Sequence, residues 1–247
     1  VILVCNKNFS NMKTMKLSIF ALSAAMLLSG CSMSNTAKGG LIGGGGGGAL
    51  GALVGQLVGG GKGAAIGAAI GTTVGAGAGV IIGNKMDKAK KAAEAANAQA
   101  EILTDSNGTQ YVKATFDSGL LFATGSSTLS TSAQTSIKNF VTNLLAEDNT
   151  YELAICGYTD NAGWKNCTTE QSQQKNLDLS QQRATAVSNQ ITSAGYPSAR
   201  LVSVKGYGEE YPVADNSTAA GKEQNRRVEV YILPSTTMVE AANAASK

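Results

Sequence analysis

An α/β sandwich is predicted for residues 105–233, on two observations. Four short runs read as strands, the first of them alternating with a period of two, and two longer runs between them carry apolar residues at helical spacing. The order read from these periods is β-α-β-α-β-loop-β, with the helices on one face of the sheet.

The turn signal Asp105-Ser-Asn-Gly108 opens the domain, and Tyr111–Asp117 alternates as a strand. Ser130–Ala146 places Ile137, Phe140, Val141, Leu144 and Leu145 on one helical face. Tyr151–Gly157 is a second strand. Leu179–Ala194 brings Ala184, Val187 and Ile191 into helical phase, and Gly195 and Pro197 stop it. Arg200–Tyr207 and Arg226–Leu233 are two further strands, separated by a polar loop. Ahead of the domain, residues 84–104 set lysines and glutamates among alanines and read as a solvated helical connector, with Lys90 and Glu94 four apart. Behind it, residues 234–247 are rich in Ala, Thr and Asn and read as a flexible tail.

The amino end has a different character. Lys13 and Lys16 precede the apolar run Leu17–Leu28, which closes on Ser29-Gly30-Cys31. A basic region, an apolar run and small residues at the cut make residues 1–30 a signal peptide, and the run is too short to cross about 30 Å of hydrocarbon. Leu28-Ser-Gly-Cys31 resembles the lipobox of bacterial lipoproteins, which implies a diacylglyceryl thioether and an acylated amine on Cys31. An ordinary signal peptide with a cysteine at its edge is the alternative. Two or more acyl chains anchor firmly where one binds reversibly. Ser32 stands where an aspartate would resemble an inner-membrane retention signal, so the expected location is the outer membrane, lipid-anchored, with the domain in the periplasm. Residues 1–11 read as an over-extended start, with initiation at Met12 or Met15, and residues 31–38 as a lipidated tether.

Residues 39–83 form a glycine ladder in which glycine recurs at every fourth position from Gly39 to Gly83, with Leu, Ile, Val and Ala between. Residues four apart share a helical face, so the ladder presents a smooth groove for another backbone. In water each such glycine costs a helix roughly 1 kcal/mol relative to alanine, whereas in lipid the backbone must bond internally. Lys62, inside Gly59-Gly-Gly-Lys-Gly63, splits the segment into Leu41–Val58 and Ala64–Ile82, and a charge is tolerated at a turn far better than at a bilayer centre. A helical hairpin at the lipid bilayer, spanning it or lying on it, is the expectation, and a homo-oligomer through the groove would give it a membrane-active role of its own. A flexible Gly/Ala spacer is the alternative. A phosphate loop is excluded, because Gln56 stands at the first glycine position and Gly63 follows the lysine in place of a hydroxyl residue.

Charge and composition narrow the function. Without Lys7, Lys13 and Lys16 the chain has 17 basic residues against 17 acidic, and Asp105–Leu233 has 10 against 13, so no basic patch for a nucleic acid is visible. The absence of histidine removes the commonest metal ligand and general base, and no cofactor or metal site is expected. Glu209-Glu210 is an adjacent pair beside Tyr211, read as surface charge rather than a catalytic dyad. No activated nucleophile stands out, so the chain is read as a binding protein and not an enzyme.

Tyr158-Thr-Asp-Asn-Ala-Gly163, Asn176-Leu-Asp-Leu-Ser-Gln-Gln-Arg-Ala184, Gly206-Tyr-Gly208, Pro212, Asn216-Ser-Thr218, Gly221 and Asn225-Arg-Arg-Val-Glu229 together resemble the OmpA-like domain shared by the OmpA, Pal and MotB families. The resemblance covers residues 111–233 and implies a mixed sheet with helices on one face, and non-covalent binding of the peptidoglycan stem peptide at its diaminopimelate. It assigns the ligand's ammonium to Asp160 and its carboxylate to Arg183, a planar task that lysine performs poorly. Thr159, Asn176 and Asn225 are implied to shape the pocket and Arg227 to support it, while Ser180 is read as capping or steadying its helix. The glycine ladder is similar to glycine-zipper segments of envelope lipoproteins. One departure stands out. Twelve residues, Trp164–Lys175, separate Gly163 from Asn176, an extension of about eight that adds the chain's single tryptophan. Cys156 and Cys167 remain once Cys5 is set aside and Cys31 is lipidated, and in an oxidising compartment they are expected to form a disulfide. A buried strand cysteine that never meets Cys167 is the alternative.

Overall fold

Residues 76–105 and 108–246 are described by the structure, a computed structural model. The signal peptide 1–30, Cys31, the tether 31–38 and the glycine ladder as far as residue 75 lie outside the described residues.

Helix α1 spans Ala76–Glu94 and is followed by strand β1, Gln99–Thr104. Its buried residues Ala78, Ile82, Met86, Ala89 and Ala93 repeat at three- and four-residue intervals, so one stripe faces the domain. The helix packs on β1, on strand β2 (Gln110–Asp117), on helix α3 (Thr131–Glu147) and on helix α6 (Thr236–Ala245). The sequence expectation of a solvated connector over 84–104 is therefore corrected twice. The alanines of the helix are core residues, and its last stretch is the edge strand of the sheet. Lysines on the solvent flank misled the reading, because Lys88 pairs with Glu147 of α3 at 2.8 Å and Lys85 pairs with Asp148. The ladder's last rung belongs to this packing too: a Cβ on Gly83 would lie 2.9 Å from the Gln110 side chain.

The flexible tail is corrected as well. Ser235 caps α6 by accepting from Met238 N, and Met238, Val239 and Ala242 are buried. These buried residues lie on one face of α6, which packs against α1 and closes that end of the core.

Short helix α2 (Ser118–Leu121) follows β2, and α3 is capped by Ser130. Strand β3 is Glu152–Gly157, helix α4 is Thr169–Ser193, a 3₁₀ turn covers Ser198–Arg200, and β4 is Leu201–Gly206. Helix α5 (Ala219–Asn225) and strand β5 (Arg227–Leu233) complete the domain before α6. The five strands lie in the order β1-β2-β5-β3-β4, with β3 and β4 parallel and the other pairs antiparallel. This is the mixed sheet with helices on one face that the sequence predicts, with β1 added at its edge.

Strand alternation divides the side chains between two clusters. Val112, Ala114, Phe116, Leu153, Ile155, Val228, Val230 and Ile232 meet the helices, and Phe140 sets its ring edge to Phe116 at 6.3 Å. The opposite face carries Tyr111, Ala154, Cys156, Tyr158, Tyr207 and Tyr231, an aromatic layer rather than an aliphatic one. Among the described residues, no helix is long and apolar enough to cross a membrane.

Candidate functional site

The site forms where the parallel strands β3 and β4 end against α4. Both strands finish in glycine. A Cβ on Gly157 would lie 2.2 Å from Ser180 O, and one on Gly206 would lie 2.2 Å from Gln181 N. Only a residue without a side chain lets these strand ends touch the helix backbone. The contact is held by hydrogen bonds, because Gly208 N donates to Ser180 Oγ and Thr159 N donates to Gly208 O, each at 2.8 Å. Ser180 thus steadies the junction of helix and loop. The result places Thr159 and Asp160, which leave β3, beside the face of α4 that carries Asn176 and Arg183.

Asp160 is buried and fixed from two sides. Its Oδ1 accepts from Ala162 N at 3.0 Å, and its Oδ2 accepts from Arg226 Nη1 at 2.6 Å. Arg183 is only 4 % exposed, donates from Nε to Ser126 O at 3.0 Å, and lies 5.2 Å from the centre of the Phe122 ring. Among the described residues no carboxylate forms an ion pair with it. Burial lowers its pKa, the nearby Arg226 lowers it further, and Asp160 partly offsets both. A guanidinium desolvated in this way is costly until an anion meets it. Thr159 adds a second unfulfilled group, since its buried Oγ1 has no hydrogen-bond partner among the described residues.

Asn176 is fully engaged. Its Nδ2 lies within bonding distance of Asp160 O, Ala162 O and a Glu209 carboxylate oxygen, at 3.2 to 3.4 Å, and its Oδ1 accepts from Trp164 Nε1 at 2.8 Å. The inserted residues are therefore tied to the site and are not a loose loop. Thr168 and Gln171 form a capping box, so the second half of the insertion becomes the first turns of α4. Trp164 N donates to Ser172 Oγ, and Gln173 donates to Glu209 at 3.0 Å.

Asn225 and Arg227 sit one layer back. Asn225 accepts from Val213 N and Ala214 N and donates to Ala214 O and Asn216 Oδ1, which pins the loop between β4 and α5. Arg227 stacks 3.8 Å from the Tyr158 ring centre, pairs with Glu229 at 2.8 Å and donates to the carbonyls of Asn225 and Tyr211. It braces the residue that precedes Thr159.

The sequence reading missed Arg226, the direct partner of Asp160. Its signal was present in Asn225-Arg-Arg227: neighbouring side chains at the start of a strand point to opposite sides, so the two arginines cannot share one role. The expected disulfide is corrected, because Cys156 and Cys167 are free. Alternation turns Cys156 into the aromatic layer on the face away from the helices, whereas Cys167 begins the approach to α4.

Residues 121–226 match the model of the OmpA family, and residues 12–87 match that of the YMGG-like Gly-zipper. The chain is similar to the protein named probable lipoprotein YiaD of Escherichia coli, at 40% identity over 80 residues, 32% of this chain and 32% of that protein. It is similar to peptidoglycan-binding protein ArfA of Mycobacterium tuberculosis at 36% identity over 80 residues, 32% of this chain and 22% of that protein. The chain thus spans a third or less of either relative's length. A solved MotB-like protein from Desulfovibrio vulgaris shares the fold, with a TM-score of 0.50 at 22% identity over 62% of this chain and 93% of that one.

Proposed function

We propose that this chain, which carries an OmpA-family domain over residues 121–226 and a glycine-zipper segment before it, binds peptidoglycan non-covalently and tethers the outer membrane to the cell wall. The observation that carries the reading is Arg183, a buried guanidinium without a carboxylate partner beside Asp160. Diaminopimelate in the stem peptide offers an ammonium and a carboxylate on one carbon. Asp160 receives the ammonium, and the two terminal nitrogens of Arg183 fork onto the carboxylate. The unpartnered hydroxyl of Thr159 supplies a further hydrogen bond at the same place. ArfA, whose name states peptidoglycan binding, supports the ligand class.

A lipid on Cys31 holds the other end, and the named lipoprotein among the relatives supports that anchor. Binding, rather than catalysis, is the function: the charged groups of the site are engaged as ion-pair and hydrogen-bond partners and none is set as a base against a nucleophile.

Cosedimentation of the protein with purified peptidoglycan, and titration with the tripeptide L-Ala-γ-D-Glu-meso-diaminopimelate, test this. Losing one member of a desolvated charged pair costs about 2–5 kcal/mol, so Arg183→Ala and Asp160→Ala should each weaken binding by tens-fold or more with the fold intact. Wild-type affinity in folded Arg183→Ala protein would remove the reading.

A further inference from the structure

We infer that Arg226 is an exchangeable counterion of this site, bound to Asp160 while the site is empty and transferred to the ligand's carboxylate when an ammonium takes Asp160. The inference rests on the stem-peptide reading above and adds a specificity residue to it.

Asymmetry in the Asp160–Arg226 pair is the first observation. The Asp160 side chain is 10% exposed and the Arg226 side chain 39%, so the anion is seated and the cation reaches in from solvent. Asp160 keeps a second, backbone donor at Ala162 N, which holds the carboxylate in place when the guanidinium leaves. Apart from its contact with Asp160, Arg226 is held by its main chain: its N donates to Lys222 O at 3.1 Å and its O accepts from Ser118 N at 3.0 Å. Its side chain can therefore move without releasing α5 or β5.

The second observation is the charge count. Arg226 stands close enough to disfavour the charge on Arg183, and Asp160 acts on Arg183 in the opposite sense. Two guanidiniums against one carboxylate leave the trio with a net positive charge and an unmet demand for one anion. A centre bearing both an ammonium and a carboxylate satisfies all three groups: its ammonium replaces Arg226 on Asp160, and its carboxylate meets Arg183 and the released Arg226. A centre bearing only an ammonium must evict Arg226 and gives it nothing in return. Arg226 therefore discriminates against a stem with lysine in place of diaminopimelate, by an unfavourable term built against the wrong ligand.

The test compares calorimetric titrations of the full protein with two tripeptides, L-Ala-γ-D-Glu-meso-diaminopimelate and L-Ala-γ-D-Glu-L-lysine. In Arg226→Gln, affinity for the first should fall about tenfold, as for loss of one charge-assisted contact, while affinity for the second holds or rises a few-fold. The preference for diaminopimelate collapses from both sides. Arg226→Lys, which keeps charge without the fork, should fall between. Thermal melting confirms that the variants are folded. Parallel loss of both affinities would make Arg226 a structural residue and overturn the inference, as would an unchanged preference in Arg226→Gln. In either of those cases a loss of binding in Arg183→Ala would leave the wall-binding reading standing. Failure of the wild-type protein to bind either tripeptide would overturn both.

Discussion

Trp164 donates its indole Nε1 to Oδ1 of Asn176 at 2.8 Å, so a residue of the insertion sets the orientation of a side chain in the site. An indole N–H can only donate, which fixes the amide oxygen toward Trp164 and turns Nδ2 toward the carbonyls of Asp160 and Ala162. Trp164→Phe removes the donor and keeps the ring's bulk. The freed amide can rotate, the loop 159–163 loses its brace, and stem-peptide affinity should fall about three- to tenfold, in line with one hydrogen bond of about 1 kcal/mol. Because the chain has one tryptophan, its fluorescence should also shift when wild-type protein is titrated with the diaminopimelate tripeptide. Unchanged affinity in Trp164→Phe would make the insertion a rim decoration.

The free cysteines differ in reach. Burial raises the Cys156 thiol far above its ordinary value, with Glu229 adding to the rise, while Cys167 is half-exposed. Thiolate is the reactive form, so an alkylating reagent at pH 8 should label Cys167 within minutes and leave Cys156 until the protein is denatured. Peptide mass spectrometry after native and denatured labelling reads this directly. A Cys156–Cys167 disulfide peptide under non-reducing conditions would contradict the fold as described.

Much of the domain was legible because period carries burial. Ile137, Phe140, Val141 and Leu144 on α3, and Ala184, Val187 and Ile191 on α4, are buried as their spacing requires. Gly206 fell within the motif and Gly157 at the end of a predicted strand, and the structure gives the reason for both in the contact with α4. The misses share one cause. In α1 the buried stripe is mostly alanine, which carries almost no apolar contrast with its surroundings, and lysines that pair with α3 look like solvated charge. The pairing of Asp160 with Arg226 was invisible because it joins residues 66 apart in sequence.

The position of α1 changes where the domain begins. Ile82 is 1% exposed and Met86 is fully buried against β1, β2 and α3. Ile82→Ala should cost about 2–4 kcal/mol by cavity formation. A chain started at residue 105 loses α1 and β1 together, exposes the edge of β2, and should aggregate or melt without cooperativity, whereas one started at residue 76 should melt as a single transition. Circular dichroism melts of the two truncations decide this. Equal midpoints would return α1 to the role of a connector.

Acid should unfold the domain through Glu229. Burial alone would raise its pKa, but Arg227 and Lys113 nearby, with hydrogen bonds from Arg227 and Tyr231, outweigh it and hold the carboxyl below its usual 4.5. A carboxylate lowered in the fold stabilises it fully above the unfolded value. That contribution is lost as pH falls through the folded value, at up to about 1.4 kcal/mol per pH unit for one proton. Asp148, lowered by Lys85 and Thr150 against the opposing effect of burial, adds the same sign. The urea midpoint should therefore be flat near neutrality and drop steeply below about pH 4.5, near the ordinary carboxylate range. Glu229→Gln leaves Arg227 buried without its counterion, so at pH 7 it should lose about 3–5 kcal/mol and show a shallower acid slope, with Asp148 still titrating. Arg227 also stacks on Tyr158, next to Thr159 and Asp160, so the same variant should weaken stem-peptide binding even where it remains folded. A Glu229→Gln protein with wild-type stability and an undiminished acid slope would show that the pair contributes nothing to the fold.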